Sequence, residues 1–128
     1  MIIEKKSKKI LYQGAKFTVE YAIQNNGSYE AEEFIDSLSI PDRTKIIRII
    51  KYFAETARIF NDEKFKKIEG DIWEFKNYQT RVFMYHCATG CIALTNGVIK
   101  KSKKTPETDK ERAIRIKEEY TIIRKGLK

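Results

Sequence analysis

The sequence has little cysteine and little histidine, with two cysteines and one histidine among 128 residues. Cys87 and Cys91 form a C-x-x-x-C spacing, and no further pair of Cys or His residues could complete a tetrahedral metal site. We therefore expect neither a metal centre nor a cofactor. Nothing else indicates an oxidising compartment, which favours reduced thiols. His86 falls at the end of a predicted strand, a position more typical of a structural histidine.

Long apolar runs are also absent. No stretch is apolar over a sufficient length to span a membrane, and the first residues lack the apolar core of a signal peptide. We expect a cytoplasmic protein without a membrane partner. The sequence has no internal repeat or low-complexity segment, and its 128 residues suffice for one hydrophobic core but not for two. It therefore predicts a single domain over residues 1–128.

Acidic residues are too few to balance the basic ones. There are 26 Lys and Arg residues against 18 Asp and Glu, which leaves a net charge of +8. Such an excess favours polyanionic partners: nucleic acid, a ribosomal surface or an acidic protein segment. Solubility or codon usage would explain the same lysine content, so charge alone does not choose among these readings.

The most informative stretch covers residues 71–106. It contains three short runs rich in β-branched and aromatic residues, separated by N-Y-Q-T and A-T-G, and it ends in a lysine cluster before a proline. This pattern predicts a three-stranded antiparallel meander. Alternation in the first run places Trp73 and Phe75 on one face and Glu74 and Lys76 on the other. We expect the aromatic face to be core and the polar face to be available for binding or catalysis.

The rest of the chain shows one strand pattern and three helix patterns. Alternation predicts a strand, and apolar residues three or four apart predict a helix capped by Ser28, a second helix beginning at Ser39, and a C-terminal helix. Their predicted ranges are 16–24, 29–37, 39 to about 60, and 106 to about 125. The expected fold is α+β, a twisted antiparallel sheet with an N-terminal α-hairpin and a C-terminal helix on its apolar face. The basic residues on the outer face of the second helix, among them Lys45 and Arg48, are interpreted as a solvated face.

Three separated motifs then suggest a family. The chain resembles the signature of the HigB-like branch of the RelE/ParE toxin superfamily in three segments: I-W-E-F-K at 72–76, T-R-V-F at 80–83 and G-V-I-K-K-S-K-K-T-P at 97–106. The family pattern reads approximately W-E-L-R, R-x-x-F/Y and H-G-F-x-K-K-x-x-K-T-P. The resemblance implies a RelE-like toxin of a type II toxin-antitoxin system, neutralised by a cognate helix-turn-helix antitoxin. It also implies mRNA cleavage in the ribosomal A site, without a metal, by attack of the 2′-hydroxyl on the adjacent phosphate.

Most of the candidate site residues follow from positions that match the family pattern, whereas the two tyrosines are chosen because an unpaired base could stack on their rings. The residues assigned to catalysis are Arg81, Lys76, Lys100, Lys101 and Asn96. Those assigned to RNA binding are Lys103, Lys104, Tyr78 and Tyr85, with core packing as the alternative for Tyr85. Asn96 and Val98 stand where the pattern has His and Phe. Because an asparagine amide cannot take up a proton, proton transfer would fall to the lysines and the arginine.

Two alternatives remain open. A toxin of the RelE/ParE fold could inhibit a protein target such as gyrase without cutting RNA, or the chain could be a non-catalytic basic binding module of phage origin. Asn96 favours both alternatives, whereas Arg81 and the lysine cluster favour the nuclease.

Overall fold

The structure, a computed structural model, describes residues 7–58, 65–100 and 107–128. Within these ranges one sheet has six strands in the spatial order β1-β2-β6-β5-β4-β3, and three helices pack on it. The elements are β1 (Lys9–Gln13), β2 (Thr18–Tyr21), α1 (Glu30–Ser37), α2 (Ile40–Thr56), β3 (Phe65–Glu69), β4 (Ile72–Asn77), β5 (Thr80–Ala88), β6 (Cys91–Ile99) and α3 (Glu107–Arg124).

The predicted α+β class and the meander are confirmed. β4 pairs with β5 and β5 with β6, both antiparallel, and the two short turns lie where N-Y-Q-T and A-T-G predicted them. Three details differ from prediction. β2 pairs with β6 in parallel, so the sheet is mixed and not wholly antiparallel. β2 is shorter than the predicted strand 16–24, and β1 and β3 were not predicted.

The helix boundaries agree in part. Ser39 caps α2 as predicted, because its hydroxyl oxygen accepts a 3.3 Å hydrogen bond from the Asp42 amide. α2 ends at Thr56, not near residue 60, since Ala57 adopts a left-handed conformation with φ 57°. The predicted cap of α1 by Ser28 is wrong: Tyr29 holds the cap position, and the Ser28 hydroxyl donates to Asn26 Oδ1 at 2.7 Å.

Both faces of the sheet are buried along most of its length. Val82 and Met84 pack under the α1–α2 hairpin, whereas Phe83 and Tyr85 pack under α3. The expectation that one face is free for function is therefore wrong for most of the sheet. The near-continuous apolar run of β5 is consistent with this burial, because a strand buried on both faces lacks the apolar–polar alternation of a half-exposed strand.

A buried carboxylate fixes α3 on the sheet. Glu20 of β2 is 1% exposed and accepts hydrogen bonds from the Tyr120 hydroxyl at 2.7 Å and from the Arg124 guanidinium, whose Nη2 lies 3.2 Å from Oε2. Burial alone would raise the pKa of Glu20, but the hydrogen bonds from Arg124 and Tyr120 outweigh it, and the pKa is lowered. The ionised form of Glu20 is therefore the one that holds α3.

This contact predicts a pH-dependent stability. Since the folded pKa of Glu20 lies below its unfolded value of about 4.3, its stabilising effect is full above roughly pH 5 and is lost as the pH falls through the folded pKa. Glu20→Gln should lower the free energy of unfolding by about 2 kcal/mol at pH 7. The cost should shrink on acidification, as measured by urea unfolding across pH. Exposed Glu118→Gln on α3 is the control, and a Glu20→Gln cost that stays constant down to pH 3 would contradict this assignment.

Candidate functional site

Three of the predicted catalytic residues, Lys76, Arg81 and Lys100, lie at one end of the sheet, and the register places Lys76 and Arg81 on the face covered by α3. Lys76 of β4 is the register partner of Arg81 on β5, and Arg81 is in turn the partner of Val98 on β6. The prediction that Lys76 and Arg81 lie side by side across the hairpin is confirmed. The Lys100 amide donates a 2.9 Å hydrogen bond to the Gln79 carbonyl, which ties the end of β6 to the β4–β5 turn. Three of the predicted cationic residues therefore belong to one local structure.

Arg81 is largely committed to contacts within the protein. It is 8% exposed, and its Nη1 donates to the carbonyl oxygens of Tyr78 and Thr80 in and beside the turn. Its Nε lies 3.5 Å from Oε1 of Glu74, which is fully buried on β4. Burial lowers the pKa of Arg81, and the nearby Glu74 charge partly opposes this shift. The expectation of a working face placed Glu74 on that face, but it did not foresee that Glu74 is buried there and neutralises Arg81.

Asn96 connects β6 to the start of α3. The register of β5 and β6 shifts between Val82 and Met84, and this bulge re-orients the side chains around Asn96. The buried amide oxygen accepts a 2.8 Å hydrogen bond from the Thr95 hydroxyl, and Nδ2 donates to the Asp109 carbonyl at 3.3 Å. An asparagine suits this position because it can accept from one element and donate to the other.

The following residue must be glycine for a steric reason. A Cβ atom at Gly97 would lie 2.2 Å from Cδ2 of Phe34, on the face of the sheet covered by α1. The N-G-V segment is therefore tightly packed on both sides, by α3 through Asn96 and by α1 through Gly97. This packing holds β6 in place beside Arg81.

Lys76 is the most accessible of the described catalytic candidates. Its side chain is half-buried, whereas Arg81, Asn96 and Lys100 are all buried. Lys101, Lys103 and Lys104 lie outside the described residues, so their predicted roles stay predictions. The described part of the site thus offers one partly exposed ammonium group next to a buried Glu–Arg pair.

Tyr78 presents an exposed ring beside α2. It stands in the β4–β5 turn in a left-handed conformation with φ 55°, and it is 84% exposed. The Lys45 ammonium nitrogen lies 5.7 Å from the ring centroid, and a cleft of about 240 Å³ is lined by Lys45, Arg48, Ile49, Asn77 and Tyr78. An aromatic ring flanked by cations can stack a nucleobase while its phosphate is neutralised.

Two basic residues of this cleft were missed at the sequence level. Lys45 and Arg48 were interpreted as part of a solvated helix face, yet they lie beside Tyr78. No local pattern could have shown this, because α2 and the β4–β5 turn are far apart in the chain and meet only in the fold. A basic helix face becomes informative once a neighbouring aromatic residue is known.

Tyr85 and His86 take structural positions. The Tyr85 ring is 2% exposed and packs under α3, with the Lys117 ammonium 5.8 Å from its centroid, and burial raises its pKa to about 12. The stacking role predicted for Tyr85 does not fit this position, and core packing does. His86 pairs with Ile92 on the far half of the hairpin and sets its ring 5.4 Å from Phe17, so it does not replace an imidazole at Asn96.

The two cysteine thiols and the potential metal-ligating side chains form no further candidate site among the described residues. Cys87 and Cys91 are free thiols, and burial together with the Glu20 charge raises the pKa of Cys87 to about 12, which disfavours the thiolate. Among the described residues, no group of three or more His, Cys, Asp or Glu side chains is arranged to hold a metal ion. No helix in the same part of the chain is both long and apolar enough to cross a membrane.

Comparison with known proteins places the chain in a family. The model of the family described as phage-derived protein Gp49-like (DUF891) matches residues 33–118, two thirds of the chain. The chain belongs to the Gp49-like family. This is a toxin-like family of the RelE/HigB type found in toxin-antitoxin systems. No curated protein matches the chain.

The segment matched by the Gp49-like model includes the candidate site and ends within α3. It contains α2, the β4–β5–β6 meander and the start of α3, and therefore every described candidate site residue. Glu20, Tyr120 and Arg124 lie outside it. The contact that anchors the C-terminal part of α3 thus lies outside the matched segment.

The buried Glu74–Arg81 pair generates a stability prediction. Arg81→Ala should lower the free energy of unfolding by about 3 kcal/mol, because the buried carboxylate loses its arginine and the turn carbonyls lose their donor. Arg81→Lys should cost less, since an ammonium keeps the charge but lacks the planar fork. Lys76→Ala, the register partner, should cost less than about 1 kcal/mol. Urea unfolding measures all three, and equal losses for Arg81→Ala and Lys76→Ala would show that the buried pair does not stabilise the fold.

Proposed function

We propose that the chain is the toxin of a type II toxin-antitoxin pair and acts as a ribosome-dependent mRNA endoribonuclease. Membership of a toxin-like family supports the first part. The observation that supports the second is the convergence of Lys76, Arg81 and Lys100 at one end of the sheet, where the adjoining β4–β5 turn carries the exposed ring of Tyr78. This arrangement provides positive charge and a stacking surface within one short segment of the fold.

The proposed reaction breaks one phosphodiester bond. The ribose 2′-oxygen attacks the neighbouring phosphorus, and the bond from phosphorus to the 5′-oxygen breaks, which leaves a 2′,3′-cyclic phosphate and a 5′-hydroxyl. The step requires a group that removes the 2′-hydroxyl proton, a group that protonates the leaving oxygen, and fixed positive charge near the phosphate. It passes through no metal-bound intermediate in this proposal.

The residues would divide these tasks by their exposure. Lys76 is the partly exposed ammonium group among the described catalytic candidates, and Arg81 behind it, paired with Glu74, holds the β4–β5 turn in place. Tyr78 would hold a base by stacking, worth about 1 to 3 kcal/mol. Lys100, Lys101 and Lys104 correspond to the lysines of the third family motif, and we assign phosphate contacts and proton transfer to them as a group, with Lys103 as a further backbone contact.

The proposed partners follow from the same reading. The substrate is mRNA in the ribosomal A site, which implies a cytoplasmic location, and the inhibitor is a cognate helix-turn-helix antitoxin. A net charge of +8 suits both, because it speeds association with a polyanion or with an acidic protein.

One observation favours a second candidate function. Arg81 donates to turn carbonyls and faces Glu74, and the Asn96 amide is bonded to Thr95 and Asp109, so neither residue is presented to a substrate. A toxin that inhibits a protein target such as gyrase would need the fold and its surface but not these groups. The same observation fits a non-catalytic binding module.

The nuclease proposal predicts cleavage that depends on translation. In a purified translation system, primer extension should show breaks within codons of a translated message and none when ribosomes are omitted. Lys76→Ala should lower the cleavage rate at least about tenfold, because it removes the accessible ammonium at the site. Exposed Lys16→Ala, on the connection between β1 and β2, is the matched control and should not change the rate. Intact message together with inhibited DNA supercoiling would select the gyrase reading.

Asn96→His gives a separate prediction about the missing imidazole. Because Asn96 is buried and holds the start of α3, we expect the variant to cleave no faster than the parent and to lose about 1 to 2 kcal/mol of unfolding free energy from overpacking. Single-turnover cleavage and urea unfolding measure the two effects. A rate increase of about tenfold or more, the scale of one added proton-transfer group, would show that position 96 reaches the substrate.

A further inference from the structure

The solvent side of α2 carries a groove that shares only Arg48 with the Tyr78 cleft. Its lining residues recur every three or four positions and therefore share one face of the helix. They are Ile40, Arg43, Thr44, Ile47, Arg48 and Lys51, and the groove has a volume of about 580 Å³. From Ile40 to Lys51 the stripe extends roughly 16 Å along the axis. The opposite face of α2, with Ile46 and Ile50, is buried on the sheet.

The groove has apolar groups that the core leaves uncovered. Ile40, in the first turn of α2, is 71% exposed, and Ile47 lies two turns further along the same stripe and is only partly buried. Thr44, between them, is small enough to leave a depression. Two aliphatic side chains at this spacing match the anchors of an amphipathic helix lying in a groove.

The charges along the groove lack acidic partners. The described residues form seven ion pairs, and none of them includes a residue of α2. By contrast, five basic residues of α3 face carboxylates, for example Arg112 with Glu30 at 2.9 Å and Lys117 with Asp71 at 2.8 Å. Arg43, Arg48 and Lys51 therefore give the groove a positive potential that the fold does not neutralise locally.

We propose that this groove binds an acidic amphipathic segment of a protein partner, with apolar side chains on Ile40 and Ile47 and carboxylates facing Arg43, Arg48 and Lys51. Charge complementarity requires an anionic occupant. The aliphatic floor favours a protein segment over RNA, because unpaired bases stack on aromatic rings and the groove is lined by none; the nearby Tyr12 ring is occupied by the Lys51 ammonium, 5.3 Å from its centroid. The surface itself is inferred from the groove alone, and only the identity of its partner as the antitoxin rests on the proposed function.

The test uses a model peptide as the probe. A synthetic helical peptide of glutamate and leucine, with leucines three and four apart on one face, should bind the full chain more tightly than a peptide of the same composition with leucines distributed around the helix. Arg43→Glu/Lys51→Glu should weaken binding by roughly tenfold, as expected for two reversed charges at an interface. Ile40→Ser should weaken it severalfold, and because Ile40 is exposed the variant should fold normally.

Lys16→Glu/Lys125→Glu is the matched control. Both residues are exposed and lie off α2, so the double variant changes net charge equally and should bind the peptide nearly as the parent does. Fluorescence anisotropy measures affinity, and a single-stranded oligoribonucleotide serves as the second probe. Peptide binding lost in the groove variants and kept in the control supports the proposal.

Three results would overturn it. First, the groove and control variants could bind the peptide equally, which would show that this face of α2 is only solvated. The oligoribonucleotide could lose affinity in Arg43→Glu/Lys51→Glu and be indifferent to Ile40→Ser, which makes α2 a nucleic-acid surface. Light scattering could show a dimer that Ile40→Ser dissociates, which makes the occupant a second copy. None of these readouts involves RNA cleavage, so failure of the nuclease proposal would leave this result unchanged, and the reverse also holds.

Discussion

Two buried glutamates on one face of the sheet determine how this fold is held together. Glu20 on β2 and Glu74 on β4 are both inaccessible to water, and each is neutralised by an arginine, Arg124 and Arg81 respectively. A carboxylate in such a place is very costly without its cation, so each glutamate fixes the element that supplies the arginine. Glu20 thereby fixes the C-terminal part of α3, and Glu74 fixes the start of β5 and the turn before it.

In the Glu74–Arg81 pair, the N–H groups that stabilise the fold are the same groups that a phosphate would need. Arg81 stabilises the β4–β5 turn through the Tyr78 and Thr80 carbonyls and balances Glu74, and a guanidinium has a limited number of N–H donors. Donors that face the protein are not available to a phosphate. In the proposed nuclease, the chemistry would then depend on neighbours that Arg81 positions: Lys76 across the strand pair and Tyr78 in the turn. In that arrangement Arg81 contributes its charge and the rigidity of the turn more than direct contacts.

Sequence periodicity predicted the elements that carry their own pattern. The meander, the Ser39 cap and the extent of α3 were all predicted from local signals, because turns, caps and helical spacing depend on neighbouring residues. β1 and β3 were missed because they are the two edge strands of the sheet and are defined by their pairing with β2 and β4. Glu74 was assigned to a polar face available for binding or catalysis for a similar reason. Alternation tells which residues share a face, but only α3, which follows much later in the chain, determines that this face is buried.

The position of unneutralised charge connects the candidate site with the groove on α2. Five basic residues of α3 are paired with carboxylates. The positive charge that stays unpaired in the described part of the chain therefore includes that of α2 and of the region around Tyr78. Arg48 lines both the Tyr78 cleft and the α2 groove. An acidic segment in the groove would therefore place carboxylates beside a cation of the cleft and weaken its attraction for a phosphate backbone, since opposite charges at short range are screened little by salt. In this way a protein partner bound on α2 would reduce RNA binding at the site without covering it.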